Sequence, residues 1–221
     1  MFFKRCHGST AVITTIMLVL LLSGCGGGNS GYSSPASTDQ GTPPPVAGAP
    51  ALIEIVLAPA YTAISSAASS SRPTWPKWPH TGTAVVDGVG CYQNGKYHTH
   101  ALLSIYQDGV RLALPSSIGR ETGCEYELHT HESSGTIHIE TDVPKTFTLG
   151  QFLSLWGKSL SSESFAGLPS APTYYIIDNE RVARVTSDPA GILLIPHREV
   201  VVITGSPPKE IPRYEWASSG L

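Results

Sequence analysis

Between residues 83 and 205, apolar and polar side chains alternate in short runs separated by turn signals, a period of two that predicts β-strands. Tyr97 to Tyr106 alternates in this way, Asp108-Gly109 is a hairpin turn, and Val110 to Leu114 returns. Glu125 to His131, a turn around Ser133 to Gly135, and Thr136 to Thr141 make a second hairpin. Tyr174 to Ile177, the turn Asp178-Asn179, Arg181 to Val185 and then Glu199 to Thr204 supply further strands. The period becomes helical once. Thr148 with Gln151 three residues later is a capping box, and it opens a short helix whose Leu149, Phe152, Leu153 and Trp156 share a core-facing side. The pattern predicts a mainly β (α+β) fold: antiparallel hairpins forming a small sheet sandwich or open barrel with one short helix. It places a single His-rich domain at 73–213 and a tail at 214–221.

The N-terminal region reads differently. Lys4 and Arg5 precede an apolar run, Ala11 to Leu22, that is short for a bilayer span and suits the core of a secretory signal. It ends in Leu22-Ser23-Gly24-Cys25, which resembles the lipobox of bacterial lipoproteins. The resemblance implies a signal peptide over 1–24, removed on export, and a lipidated Cys25 that holds the chain on a membrane without a spanning helix. Gly26 follows Cys25, and the same resemblance then implies transfer to an outer membrane where the cell has one. The expected location is the cell envelope, facing the periplasm or the exterior. Residues 26–50 are almost all Gly, Ser, Pro, Thr and Ala and cannot bury enough apolar surface to offset chain entropy. They form a tether, continued to residue 72, that reaches about 25 to 30 Å on average. Within it, 51–58 (ALIEIVLA) is either a first strand or an apolar linker patch.

Charge narrows the partners. Lys and Arg number 14 against 17 Asp and Glu, a formal charge of −3, and loss of Lys4 and Arg5 with the signal takes it to −5. Such a surface offers no positive field for phosphate backbones, which excludes nucleic acid as the expected partner. Both methionines, Met1 and Met17, lie in the signal, so the exported chain has none.

Histidine is the residue type whose distribution is uneven. Of the eight, five (His98, His100, His129, His131 and His138) fall in one short stretch of the predicted sheet. Residues two apart in a strand point to the same face, so His98 and His100, and likewise His129 and His131, each project two imidazoles about 6.5 Å apart. The second hairpin has a register that follows from its turn: His129 opposite His138, Glu127 opposite Glu140 and His131 opposite Thr136 on one face. Leu128 then faces Ile139, and Thr130 faces Ile137, on the core side. Two opposed glutamates repel unless a cation lies between them. Three imidazoles with two carboxylates make a metal-binding wall, with Glu127 or Glu140 as the candidate base if the site is catalytic.

Cys91 and Cys124 precede the two His pairs at odd offsets, which puts each sulfur on the face away from the imidazoles. In an oxidising compartment they are expected to pair with each other, stabilising the chain by about 3 to 4 kcal/mol. Without methionine or free thiolates, soft ligands are missing. Imidazole then suits Zn(II) or Cu(II) best, ahead of Ni(II) or Fe(II). Three histidines with an open position would activate water, whereas four or five would store, sense or carry metal.

The segments CEYELHTHESSGTIHIE, FTLGQFLSLWGKSL and YHTHALLSIYQDGVRLALPSSIG resemble an uncharacterised group of exported prokaryotic His-rich domains. These share an HxH strand, an LHTHxxxGxIHIE hairpin and an FTLGxFxxxWG helix. The resemblance covers roughly residues 83–205, and it implies a single domain and the same histidines without supplying a reaction.

Three functions are compatible with these observations. The first is a membrane-tethered extracytoplasmic metal-binding protein. The second is a mononuclear His-ligated metalloenzyme of hydrolase or hydratase type. The third is a metal-free envelope interaction domain, using Trp75 and Trp78 or the tail residues Tyr214 and Trp216, which otherwise pack on the protein's own sheet.

Overall fold

Strand β2 (Tyr97–Gln107) organises the molecule, because its alternation buries apolar side chains on both faces. The computed structural model describes residues 54–64, 75–79 and 82–221. The expected signal peptide, the lipidation site Cys25 and the glycine-rich tether at 25–50 lie outside these residues, as do 51–53 of the expected first strand. The described residues all belong to the unit Pro50–Leu221.

The strands are β1 (Leu57–Thr62), β2, β3 (Val110–Leu112), β4 (Arg120–Glu121), β5 (Cys124–Glu125), β6 (Leu128–His129), β7 (Thr136–Thr141), β8 (Phe147–Thr148), β9 (Pro172–Asp178), β10 (Arg181–Arg184), β11 (Leu193–Leu194), β12 (Arg198–Thr204) and β13 (Ile211–Tyr214). Helix α1 (Leu149–Trp156) follows β8. The main sheet runs β10-β9-β12-β2-β7-β6, with β3 also paired to β2, and it stays open rather than closing into a barrel. The fold is mainly β, as the alternation predicts. Hairpins account for β2–β3, β6–β7 and β9–β10. The neighbours β2 and β12 are parallel, as are β1 and β13, and these long-range pairings were not part of the antiparallel expectation.

Odd-numbered residues of β2 (Ala101, Leu103, Ile105) enter the principal core with Ile137, Ile139, Val200, Val202 and the buried side of α1. The capping box at Thr148 and Gln151 forms, and α1 buries Leu149, Phe152, Leu153, Leu155 and Trp156. Each such side chain contributes about 1.5 to 3 kcal/mol. Trp75 and Trp78 serve this core: their indole N–H groups donate to Ala166 O (3.1 Å) and Leu155 O (2.8 Å), and Trp75 meets Trp156 edge to face.

Even-numbered residues of β2 face the other way, in the order His98, His100, Leu102, Ser104, Tyr106. Leu102 packs with Ile64 and Tyr214, and Tyr106 with Ile203 and Ile211, so β1, β13 and the C-terminal residues cover one end of this face. The folded region therefore extends past the expected 73–213 at both ends. Strand β1 lies at 57–62, further along than 51–58, and Trp216 of the tail stacks on His197 (4.9 Å, 22°). The histidine end of the same face is not covered by the β1–β13 pair.

Two further contacts fix β7 against β2. Leu103 N donates to Gly135 O (2.9 Å), and a Cβ at Gly135, whose φ is +93°, would stand 2.2 Å from Leu103 O. Only glycine fits there. Arg111 donates to Ser134 O (2.7 Å) and to Ser104 Oγ (3.1 Å), and Ser104 Oγ in turn donates to the buried Glu199.

Candidate metal centre

Strand β7 lies between β2 and β6, and its His138 is paired across the ladder with His100 on one side and His129 on the other. This is the register expected for the second hairpin, with Leu128 opposite Ile139. Strand β6 is shorter than expected, because its backbone is shared with the preceding segment. Tyr126 N donates to Gly119 O (2.9 Å) and Thr130 N to Ile118 O (2.9 Å). His131 consequently lies beyond β6, yet its ring still reaches the same face.

All five imidazoles meet. His138 Nδ1 is 3.1 Å from His100 Nε2 and 3.3 Å from His98 Nε2. His129 Nε2 is 3.0 Å from His131 Nε2, and the His131 and His138 rings stack with centroids 4.1 Å apart. Glu140 Oε1 joins them at 3.1 Å from His98 Nε2, 3.6 Å from His129 Nε2 and 3.9 Å from His138 Nδ1. Donors around one tetrahedral Zn(II) at 2.0–2.1 Å stand about 3.3 Å apart, a separation close to the shortest of these spacings. Two overlapping sets could hold an ion: His129, His131, His138 and Glu140, and His98, His100 and His138.

His129 is the most defined candidate ligand. It has no solvent exposure, and its Nδ1 donates to Tyr126 O at 2.8 Å. A carbonyl only accepts, so the proton resides on Nδ1, and in the neutral ring the Nε2 lone pair points at the cluster. Burial holds the His129, His138 and His131 rings below the usual imidazole range; the neighbouring imidazoles add to this at His138, and the Arg120 guanidinium at His131. Burial, then the charge of His98, moves His100 down to about 4. These rings are therefore neutral at pH 7, the form that binds a cation.

The two glutamates part company. Glu127 was expected on the imidazole face, but its carboxylate is paired with Lys145 and accepts from Gly90 N (3.1 Å). Regular β6 begins only at Leu128, and at Glu127 the chain turns to bridge Gly90, its N donating to Gly90 O (2.8 Å). Alternation fails there, and the Glu127 carboxylate is neutralised by Lys145. Glu140 alone stands among the histidines.

Other parts of the surroundings carried no signal in the sequence. Tyr92 stacks on His129 (6.0 Å, 25°), and its hydroxyl donates to Glu125 Oε2 at 2.6 Å. The loop Gln93-Asn94-Gly95 donates its three N–H groups to the Asp142 carboxylate (2.8–3.2 Å). A Cβ at Gly95 (φ +56°) would stand 2.9 Å from Glu140 Oε2, so the loop passes directly against that carboxylate. Cys91 and Cys124 form the expected disulfide, with Cα atoms 5.3 Å apart, and Cys124 lies in the core, away from the imidazoles. His197 belongs to neither set, although its N donates to His100 O (2.9 Å), and His80 lies outside the described residues.

No protein-family model, curated protein or solved structure matches the chain, so the geometry of the cluster carries the functional reading.

Proposed function

We propose that the protein is a membrane-tethered, extracytoplasmic metal-binding protein whose multi-His centre takes Zn(II) or Cu(II). The observation that carries this reading is the convergence of five imidazoles and one carboxylate, with the His129 lone pair aimed inward by the bond from Nδ1 to Tyr126 O. Buried polar groups are rarely gathered without partners, and neutral rings packed nitrogen to nitrogen gain most from a shared cation. The donor set of imidazole and carboxylate, with the sulfurs locked in a disulfide, favours borderline divalent ions. The tethering half of the reading rests on the lipobox-like Leu22-Ser23-Gly24-Cys25. Among the described residues no helix is long and apolar enough to cross a membrane.

The test is elemental analysis of the purified chain after dialysis against Zn(II) or Cu(II), with His138→Ala in parallel. The reading requires stoichiometric metal in the parent and less of it in the variant. Metal that stays trace in both would contradict it.

A further inference from the structure

Resting on that metal-binding reading, we propose that the centre holds two divalent ions side by side, one over the β2–β7 groove and one over the β7–β6 groove. The three strands supply donors in a symmetrical way. Strand β2 gives one exposed and one buried imidazole, His98 and His100; the chain at β6 gives a buried and an exposed one, His129 and His131. The central strand gives His138 and Glu140, one donor for each side.

The six donor atoms do not form a single set. They separate into two, each with its atoms within 4.8 Å of one another, and the two share His138. Donors on one ion at 2.0–2.1 Å are never more than about 4.2 Å apart, so one ion cannot use all six. A division that uses every lone pair once assigns His98, His100 and His138 Nδ1 to the first ion, and His129, His131 and Glu140 to the second. Three ligands each leave both ions open to water. The grooves are one strand spacing apart, so the ions stand about 4 to 5 Å from each other. Glu140 Oε1, 3.1 Å from His98 Nε2 and 3.6 Å from His129 Nε2, lies between them and offsets their repulsion.

Native mass spectrometry of the full chain titrated with Zn(II) tests this directly. Two ions per chain are expected at saturation, falling to one in His98→Asn and to one in His131→Asn. Both side chains are exposed, and circular dichroism verifies that each variant folds. Loaded with Cu(II), the parent should give the half-field electron paramagnetic resonance signal of a coupled pair, absent from both variants. Saturation at one ion, or removal of that same ion by either replacement, overturns the inference while leaving the metal-binding reading intact. A chain that keeps no metal at all overturns both.

Discussion

The Nδ1 of His129 donates to the carbonyl oxygen of Tyr126, three residues earlier, at 2.8 Å. That bond sets the tautomer of a fully buried ring and directs its other nitrogen at His131 and Glu140. The backbone of Tyr126 is itself anchored through its N–H to Gly119 O, and its hydroxyl reaches the carbonyls of Gly82 and Ala84. The orientation of this candidate ligand is thus set by the fold itself.

Gly95 tests how closely the roof of the site is fitted. Gly95→Ala introduces a methyl 2.9 Å from Glu140 Oε2 at a φ of +56°. The expected result is about 1 kcal/mol of lost stability from the backbone conformation and a Zn(II) affinity about tenfold weaker as Glu140 is displaced. Thermal melting and competition with a chromophoric chelator measure the two separately.

Buried Glu199 gives a pH signature of its own. Desolvation raises its carboxyl from 4.5 to about 7, so its contribution to stability is complete below 4.5 and is lost as pH rises through about 7. Glu199→Gln keeps an acceptor for Ser104 and removes the charge. At pH 8 the variant is expected to be more stable than the parent by about 1 to 3 kcal/mol, with the gap closing below pH 5. Urea unfolding at the two pH values measures it.

The histidines act with the opposite sign. Unfolded imidazoles titrate near 6.5, whereas folded His100 titrates near 4 and His129 and His138 are also lowered by burial. Their contribution is present above pH 6.5 and is lost as pH falls toward 4, because the unfolded chain binds the additional protons. In the Glu199→Gln background with chelator present, the unfolding midpoint should decline steadily from pH 6.5 to 4.5. A flat profile would show that the rings are not held neutral.

Much of this centre was legible in the chain, and the exceptions have physical causes. His129 and His138 could be paired because a hairpin register depends only on nearby residues and a turn. Gln151 and Thr148 could be matched for the same reason, their partners being three residues apart. The β1–β13 and β2–β12 pairings join segments distant in sequence, and no local pattern encodes them. Glu127 was misplaced because alternation assumes a regular strand, and the bridge to Gly90 interrupts it. The stacking of Tyr92 on His129 depends on the backbone bridge from Cys91 to Tyr126, which no spacing rule reveals.

The disulfide couples stability to the site through those neighbours. Cys91→Ser with Cys124→Ser is expected to cost about 2 to 5 kcal/mol, since a long loop is released in the unfolded chain. Tyr92 and Glu125 each adjoin a cysteine, so metal affinity should fall as well. Calorimetry with and without Zn(II) separates the two effects.

The proposed lipid anchoring at Cys25 is tested apart from the metal chemistry. Cys25→Ser should abolish labelling by radioactive palmitate and move the protein from the membrane fraction to the soluble one, with metal stoichiometry unchanged. Continued membrane association of the unlabelled variant would contradict lipid anchoring at Cys25.

Electron paramagnetic resonance of the chain carrying a single equivalent of Cu(II) interrogates the imidazole cluster itself. Nitrogen superhyperfine structure from at least three rings is expected, with one ring lost in His138→Ala, the histidine common to both donor sets. A spectrum of oxygen ligation alone, or one indifferent to that substitution, would show that these histidines do not bind metal together.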